Sequence, residues 1–259
     1  MRRALVTGAG QRLGRAMALY LGQRGFDVAV HYATSRAGAE ATAAEITAMG
    51  RRAVALQADL LDDTAAGALL PRAAEALGGP ITCLVNNASI FEYDNISTAT
   101  EESWNRHIGS NLRAPFILTQ AMAAQGLAPE TDAQDEPVAV GLIINMLDQR
   151  VRKLTPEFMT YTIGKMGLWA LTQTSSQALA PAIRVNAIGP GPTLKGAKQT
   201  DEHFARQRSK VILERGANPR DITAALGYFI DAPSVTGQLI CTDGGQHLGW
   251  KTPDAQGLE

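Results

Sequence analysis

The sequence lacks several features that would place it in a specialised class of protein. Only two of its 259 residues are cysteine and 5% are aromatic, so neither a disulfide-rich secreted domain nor a metal site is indicated. Lysine and arginine (24) nearly balance aspartate and glutamate (25), for a net charge of −1. With no long basic run, binding to nucleic acid or to a membrane surface has no electrostatic basis. A small molecule is the expected partner.

Long apolar segments are also missing. No run reaches the roughly 18 consecutive apolar residues that a membrane-spanning helix needs. The apolar run at 4–6 is too short for the hydrophobic region of a signal peptide. Cys83 and Cys241 each lie in an apolar, strand-like segment, which is typical of buried thiols in a reducing compartment. Together these features predict a cytoplasmic protein.

What the sequence does contain is 45% hydrophobic residues and 25 glycines, which suits one large α/β domain over residues 1–259. Strand-like apolar runs alternate with helical patterns, as in sheets built by right-handed crossovers. We therefore expect a Rossmann-type, doubly wound α/β fold with a seven-stranded parallel sheet and helices on both faces. The predicted strands span 3–7, 26–32, 52–57, 81–85, 139–146, 183–188 and 237–242. Predicted helices span 37–49, 62–78, 100–125 and 219–231. A further predicted helix ends near residue 24, and another carries Tyr161.

Two segments interrupt this alternation. Residues 129–137 are polar, begin and end with proline, and are predicted to form a solvated loop. Residues 194–216 show little periodicity and follow the sixth predicted strand. Because ligands in such sheets bind at the carboxyl ends of the strands, we expect this second segment to be a mobile lid over the site.

A glycine-rich turn follows the first predicted strand. Gly8, Gly10 and Gly14 lie where the chain enters the first helix, with Arg12 and Leu13 between the last two. Glycines let the backbone approach a pyrophosphate, and a helix N-terminus offers free N–H groups and a positive dipole. The spacing differs by one residue from the common G-x-G-x-x-G pattern, so a glycine turn without a ligand is the alternative.

The end of the second predicted strand indicates which dinucleotide would bind. An acidic residue there would select the free 2′-hydroxyl of NAD, but this chain continues with His31, Tyr32, Thr34, Ser35 and Arg36. Polar and cationic side chains suit a 2′-phosphate and predict NADP(H). A polar loop with Ser35 as the N-cap of the next helix is compatible with the same residues.

Tyr161 and Lys165 stand four residues apart at the start of a predicted helix, which places both side chains on one face. A fixed ammonium favours the phenolate and would lower the tyrosine pKa from its ordinary value of about 10. A tyrosine so placed can act as a general acid. Taken alone, the pair also fits an ordinary amphipathic helix.

Further motifs follow one another along nearly the whole chain: Thr7-Gly8, Gly14, Asp59, Asn86-Asn87-Ala88, Asn111, Tyr161, Lys165, Pro190-Gly191 and Asp243-Gly244-Gly245. In this order and spacing they resemble the short-chain dehydrogenase/reductase family. Two departures resemble its pteridine reductase branch: Arg12 stands where most members have glycine, and Asp148 where most have a catalytic serine. Phe91 after Asn-Ala-Ser, and the stretch 208–211, also resemble that branch.

The resemblance implies roles for individual residues. The catalytic set would be Asp148, Tyr161, Lys165 and Asn111, with Lys165 on the nicotinamide ribose and Asn111 supporting a water-linked proton path. Substrate would contact Arg12, Ser89, Phe91, Asp148 and Tyr161. The cofactor-binding set would be Gly8, Gly10, Arg12, Leu13, Gly14, His31, Tyr32, Thr34, Ser35, Asp59, Leu60, Asn87, Ala88, Ser89, Tyr161, Lys165, Pro190 and Gly191. The family also implies a homotetramer built on the helices that carry Asn111 and Tyr161.

Asp148 is the residue that points to a pterin. In a ketone reductase, hydride arrival leaves negative charge on an oxygen, which a serine hydroxyl stabilises and a carboxylate would repel. When the acceptor is a ring C=N, the nitrogen needs a proton, and a carboxyl group can relay it or stabilise a protonated imine. The sequence thus predicts an NADPH-dependent reductase of a dihydropterin, dihydromonapterin or dihydrofolate ring.

Two alternatives stay open at this point. A short-chain carbonyl reductase acting on a 3-ketoacyl or other ketone would keep every cofactor residue. A catalytically silent NADP-binding protein would keep the fold without the chemistry. Singly, Phe91 also fits a core residue, Ser89 a turn residue and Arg12 a solvated helix residue.

Overall fold

The computed structural model describes residues 2–196 and 199–252, so residues 197–198 of the predicted lid and both ends of the predicted 1–259 domain lie outside the described residues. The strands are β1 (Arg3–Val6), β2 (Asp27–Tyr32), β3 (Ala53–Gln57), β4 (Cys83–Asn86), β5 (Glu130–Thr131), β6 (Pro137–Val138), β7 (Gly141–Met146), β8 (Ile183–Pro190) and β9 (Leu239–Thr242). The α-helices are α1 (Arg12–Gln23), α2 (Arg36–Ala48), α3 (Asp63–Leu77), α4 (Glu101–Ile108), α5 (Ala114–Ala123), α6 (Met159–Ala178), α7 (Asp201–Ser209) and α8 (Pro219–Asp231).

Seven of the strands form one sheet, and the predicted doubly wound parallel architecture is confirmed. The strand order is β3-β2-β1-β4-β7-β8-β9, with parallel pairing throughout. The chain builds outward from β1 in one direction as far as β3, then returns to place β4 on the other side of β1. This reversal opens a crevice at the carboxyl ends of β1 and β4, which is where such sheets bind ligands.

Two hydrophobic layers cover the sheet, one on each face. Met17, Ile46 and Phe229, from α1, α2 and α8, belong to the first layer. Leu69 of α3 and Leu118 of α5 belong to the second. Strands buried on both faces explain the nearly continuous apolar runs of the sequence. Within residues 2–196 and 199–252, no helix is both long and apolar enough to cross a membrane.

The prediction of one continuous helix over 100–125 is wrong at its centre. The helices α4 and α5 are separated by a π-helical turn, Gly109–Arg113. Such turns insert an extra residue into a helix and are frequent at functional sites. Here the turn carries the buried Asn111.

Both irregular segments contain regular structure that the sequence did not predict. Within 129–137, β5 and β6 pair as a short antiparallel hairpin, in which Oδ1 of Asp132 accepts hydrogen bonds from the N–H groups of Gln134 and Glu136. The predicted lid holds the helix α7. Arg208 attaches that helix to the flanking segments, because its guanidinium donates to the carbonyl oxygens of Pro192 and Ala217 at 2.8 and 2.6 Å.

The two cysteines are free, and one differs from the prediction. Cys83 is buried as expected, whereas Cys241 is only partly buried. Burial raises the pKa of the Cys83 thiol to about 12 and that of Cys241 to about 11. Both thiols therefore stay protonated and weakly nucleophilic at neutral pH.

Gly14 fixes how closely α1 approaches the end of β1. A Cβ at this position would lie 2.2 Å from the carbonyl oxygen of Gly8 and 2.5 Å from Nδ2 of Asn87.

We expect Gly14→Ala to lower the free energy of unfolding by about 1–3 kcal/mol, as substitutions at other overpacked sites do. The matched control is Gly67→Ala inside α3, where the nearest atom, Cγ2 of Ile117, would be 3.8 Å away. That change should stabilise the protein by roughly 0.5–1 kcal/mol. Urea unfolding measures both, and equal effects would contradict the packing described here.

Candidate active site

The glycine turn after β1 is locked to the end of β4. The hydroxyl oxygen of Thr7 accepts hydrogen bonds from the backbone N–H groups of Asn87 and Ala88, each at 2.9 Å. In return, Nδ2 of Asn87 donates to the carbonyl oxygens of Thr7 and Gly8 at 2.8 and 3.2 Å. The crevice between β1 and β4 therefore has fixed walls. Thr7 was noted in the sequence as part of a motif but not as a site residue.

The glycine turn also meets the loop after β2. A Cβ on Gly10 would lie 2.8 Å from Oγ of Ser35, so glycine is needed for these two segments to touch. Ser35 occupies the N-cap position of α2, but among the described residues its hydroxyl makes no capping bond. The hydroxyl instead faces the turn. The structure thus brings Gly10 and Ser35 together. The pyrophosphate and 2′-phosphate contacts of Gly8, Gly10, Thr34 and Ser35 stay predictions.

Arg12 contacts the segment that follows β8. Its backbone is left-handed, with φ of 54°, a conformation that glycine adopts at little cost. Its guanidinium donates to the carbonyl oxygens of Lys195 and Leu194 at 2.9 and 3.2 Å. Arg12 therefore links the glycine turn to the predicted lid. Its predicted contacts with a pterin and with the cofactor phosphate stay predictions.

His31 is hydrogen-bonded to the glycine turn. Its side chain is 1% exposed, with Nδ1 accepting from the Gly8 N–H at 3.0 Å and Nε2 lying 3.1 Å from the carbonyl oxygen of Ala58. The imidazole is therefore neutral with the proton on Nε2, and burial lowers its pKa to about 4. Both ring nitrogens are engaged within the protein, so the His31 side chain supports the backbone of the glycine turn. Its predicted contact with the cofactor stays a prediction.

Other residues of the predicted cofactor-binding set follow β3 and β8. Asp59 is exposed and accepts from the N–H of Leu61 at 2.9 Å, while Leu60 is buried. At the far side, Gly191 follows β8 and packs against Asp243, where a Cβ would approach to 2.6 Å. Cofactor contacts by these residues, and by Leu13, Tyr32 and Pro190, stay predictions.

Asp148 and Tyr161 are joined directly. The Tyr161 hydroxyl donates to Oδ2 of Asp148 at 3.0 Å, and Oδ1 accepts the N–H of Arg150 at 2.8 Å. Burial raises the pKa of Asp148, although the Arg150 N–H and the charges of Arg150 and Lys165 act in the opposite direction. Burial, followed by the negative charge of Asp148, raises the pKa of Tyr161 well above 10. Both groups therefore hold protons more tightly than they do in water.

Lys165 lies behind this pair, and its predicted effect on Tyr161 is wrong for this structure. Its Nζ is buried, donates to the carbonyl oxygen of Met146 at 2.8 Å and lies 5.6 Å from the centre of the Tyr161 ring. Burial lowers the pKa of Lys165 to about 8. The Tyr161 pKa is raised and not lowered, because burial, followed by the negative charge of Asp148, disfavours the phenolate.

Aromatic rings line the opening above Tyr161. Phe91 stacks on Phe158 with ring centres 4.3 Å apart and 9° between the planes, and its ring also meets the Tyr161 ring nearly at right angles at 4.7 Å. The Arg150 guanidinium lies over the Phe158 ring. Phe91 remains 52% exposed, so it is a surface of the opening and not a core residue. Ser89 is exposed beside it, and its hydroxyl acts to lower the pKa of Tyr161.

Asn111 holds the segment between these residues. Its Oδ1 accepts the N–H of Ile90 at 2.9 Å, and its Nδ2 donates to the carbonyl oxygen of Ile90 at 2.8 Å. The side chain therefore positions the backbone that connects Ser89 to Phe91. The predicted support of a proton path by Asn111 stays a prediction.

Residues 2–205 match the family described as short chain dehydrogenase. The chain belongs to this family. FolM alternative dihydrofolate reductase 1 from Brucella suis, in a crystal structure with NADP, is 43% identical with a TM-score of 0.90 over 98% of both chains. An uncharacterized oxidoreductase of Methylorubrum extorquens is 33% identical over 93% of this chain and 96% of its own length. A 3-oxoacyl-(acyl-carrier-protein) reductase of Staphylococcus aureus is 31% identical over 95% of this chain and 98% of its own length.

This short-chain dehydrogenase contains a buried polar cluster that sequence reasoning missed. Asp94, His107 and Thr160 are 1%, 0% and 3% exposed and are hydrogen-bonded to one another directly beside Tyr161. The position of Thr160 immediately before Tyr161 was visible in the sequence. The other two residues are distant in the chain and belong to no motif that was recognised.

His31 gives the enzyme a pH-dependent stability that can be measured. The pKa is about 4 in the folded protein and about 6.5 in an unfolded chain, so the unfolded state takes up the proton first as the pH falls. The stabilisation is complete above about pH 6.5 and declines toward pH 4, by on the order of 3 kcal/mol. Between about pH 6.5 and pH 4, we expect the free energy of unfolding of wild type, measured with urea, to fall by this amount relative to that of His31→Gln, whose side chain does not titrate. The exposed His203→Gln should behave as wild type, and parallel pH profiles for wild type and His31→Gln would contradict the assignment.

Proposed function

We propose that this chain, an NADP(H)-dependent oxidoreductase of the short-chain dehydrogenase family, reduces a ring C=N bond of a dihydropterin, dihydromonapterin or dihydrofolate. The observation that carries the proposal is the 3.0 Å hydrogen bond between the Tyr161 hydroxyl and Oδ2 of Asp148. It places a carboxyl group beside the tyrosine, at the position where most relatives have a serine hydroxyl.

Electrostatics explain why a carboxyl at this position suits nitrogen and not a ketone oxygen. Negative charge developing on an oxygen would be repelled by the carboxylate. A ring nitrogen that gains a proton becomes cationic or neutral, and a carboxyl with a raised pKa can supply that proton and then stabilise the charge. In the reaction, one hydride is transferred to the ring carbon and one proton to the adjacent nitrogen. Asp148 and Tyr161 are then re-protonated from solvent.

The chain's own residues fit the cofactor. Bound NADPH supplies the hydride. Gly8 and Gly10 leave the backbone of the turn open to a pyrophosphate, and Thr34, Ser35 and Arg36 are available to a 2′-phosphate, with Arg36 also paired with Glu40 at 2.7 Å. Lys165, buried next to Tyr161, would hold the nicotinamide ribose.

The substrate would lie against the exposed aromatic surface of the opening. Phe91 offers a flat ring next to Tyr161, and stacking of this kind favours a planar heterocycle. Similarity to FolM alternative dihydrofolate reductase over 98% of both chains supports this reading. The second candidate, a 3-oxoacyl thioester reductase, is supported by the relatives that carry that name.

Assembly and compartment are part of the same proposal. Four large apolar side chains on α4, α5 and α6 are exposed to solvent, which supports burial between copies in a homotetramer: Trp104, Phe116, Ile163 and Met166. Free thiols at Cys83 and Cys241 support a reducing, cytoplasmic location.

An Asp148→Ser variant separates the two candidate substrates. With NADPH oxidation as the assay, we expect dihydropterin turnover by the variant to fall by at least about 100-fold, the lower end of what a positioned acid contributes. Turnover of a 3-oxoacyl thioester should be unchanged or improved, because the introduced hydroxyl stabilises an oxyanion. Asp132→Ser, in the distant hairpin, is the matched control and should leave both rates at the wild-type value.

A wild-type enzyme that reduces the thioester but none of the dihydropterins would overturn the pterin assignment. Binding of NADPH without turnover of either class would favour a silent binding protein. A panel of dihydrobiopterin, dihydromonapterin and dihydrofolate assayed side by side would identify the preferred ring.

A further inference from the structure

We infer that Asp94, Thr160 and His107 form a positioning unit that sets the Tyr161 hydroxyl relative to the aromatic surface on which the substrate lies. The inference rests on the proposed function for its choice of substrate, but its geometry concerns only this chain. The unit joins three segments: the loop after β4, the helix α4 and the N-terminus of α6. None of its members contacts the reacting atoms, so they are positioning residues and not catalytic ones.

The hydrogen-bond directions in the unit follow from one backbone group. The N–H of Glu92 donates to Nε2 of His107 at 3.1 Å, so this nitrogen carries no proton. The proton of the neutral ring is then on Nδ1, which lies 2.6 Å from the Thr160 hydroxyl oxygen. Since that oxygen accepts from the imidazole, its own proton is donated to Oδ2 of Asp94.

This arrangement cannot activate a nucleophile. In hydrolase triads the histidine accepts the hydroxyl proton, whereas here the histidine donates to the hydroxyl and the carboxylate accepts from it. Burial lowers the pKa of His107 despite the nearby charges of Asp94 and Glu92, which keeps the ring neutral. Burial alone would raise the pKa of Asp94, but hydrogen bonds from the Thr160 hydroxyl and N–H, with Ser103 and His107, hold it below the ordinary value. The unit is therefore a fixed, directional chain at neutral pH.

Asp94 also supplies the cap that α6 lacks. Phe158 occupies the N-cap position, and its side chain has no atom that can accept a hydrogen bond. Asp94 replaces it from a different part of the chain: its carbonyl oxygen accepts the N–H of Phe158 at 2.8 Å, and its Oδ1 accepts the N–H of Thr160 at 3.1 Å. A carboxylate at this end is further favoured by the helix dipole. The next residue in the helix is Tyr161.

The unit connects both sides of the opening. Glu92, bound to His107, directly follows Phe91, and Phe158, bound to Asp94, precedes Thr160 and Tyr161. The positions of the stacked pair Phe91–Phe158 and of the Tyr161 hydroxyl thus depend on the same three buried residues. A shift of these residues would move the general acid relative to the bound ring, and misplacement by about 1 Å can cost roughly 100-fold in rate.

Thr160→Val tests the inference because it removes the hydroxyl with almost no change in shape, and Thr160→Ser restores the hydroxyl. We expect kcat for the dihydropterin to fall by about 10- to 100-fold in Thr160→Val, to return close to wild type in Thr160→Ser, and the Kd for NADPH to stay unchanged in both. The matched control is Thr174→Val on the exposed side of the same helix, where the hydroxyl bonds only to backbone carbonyls of its own helix. It should leave kcat at the wild-type value.

A second measurement needs no substrate. Nitrogen-15 NMR of the histidine rings, with the His107 signals assigned by their loss in His107→Gln, should show His107 as the neutral tautomer protonated at Nδ1. A proton on Nε2, or a charged ring at pH 7, would overturn the unit. So would a Thr160→Val enzyme with a lowered Tm but a wild-type kcat, since that result describes a merely structural hydroxyl.

Failure of the proposed function gives a different result. If wild type turned over no dihydropterin, the substrate assignment would fall, while the kcat ratio of Thr160→Val to Thr160→Ser could be measured with a 3-oxoacyl thioester. The tautomer of His107 would be unaffected in either case.

Discussion

The hydrogen bond from the Tyr161 hydroxyl to Asp148 is the interaction on which the active site depends. Two acidic groups are in contact at a partly buried position. Burial raises the pKa of both, and the negative charge of Asp148 raises that of Tyr161 further, whereas the hydrogen bond from Tyr161 lowers the pKa of Asp148. Tyr161 therefore stays a proton donor at neutral pH, and Asp148 is shifted toward its protonated form. A protonated phenol beside a carboxyl with a raised pKa tolerates little added negative charge and is suited to protonating a ring nitrogen.

The fold brings these two groups together from opposite directions. Asp148 lies two residues beyond the end of β7, at the carboxyl edge of the sheet, while Tyr161 lies in the first turn of α6. The meeting point is fixed by contacts from elsewhere: Lys165 bonds to the end of β7, and Asp94 caps α6 from the loop after β4. The glycine turn is held by His31 and Thr7 at the carboxyl ends of β1 and β4. Rigid strand ends thus position the chemistry, and the neighbouring loops shape the opening.

Much of this could be predicted from local patterns, and what could not has a physical reason. Buried strands and the Tyr161–Lys165 spacing are properties of short segments, so the sheet and the pairing of Asp148 with Tyr161 followed from sequence and resemblance. The hydrogen bonds of Arg12 to the predicted lid and of His31 to the glycine turn could not be predicted, because a sequence shows a side chain's chemistry but not its direction. The Tyr161 pKa was predicted to fall because burial and the distance to Asp148 cannot be read from spacing. The Asp94–Thr160–His107 unit joins segments more than 50 residues apart, beyond the reach of periodicity.

The pH dependence of single-turnover NADPH oxidation with a dihydropterin tests the central claim most directly. The proton donor is the protonated form of the Asp148–Tyr161 pair, and the pKa of Asp148 is raised in the folded enzyme. The rate should therefore fall as the pH rises through a midpoint above the ordinary carboxyl value of about 3.9. Asp148→Asn, which keeps the shape but does not titrate, should be slow and lack that dependence. Identical pH profiles in the two enzymes would contradict a proton-donating role for Asp148.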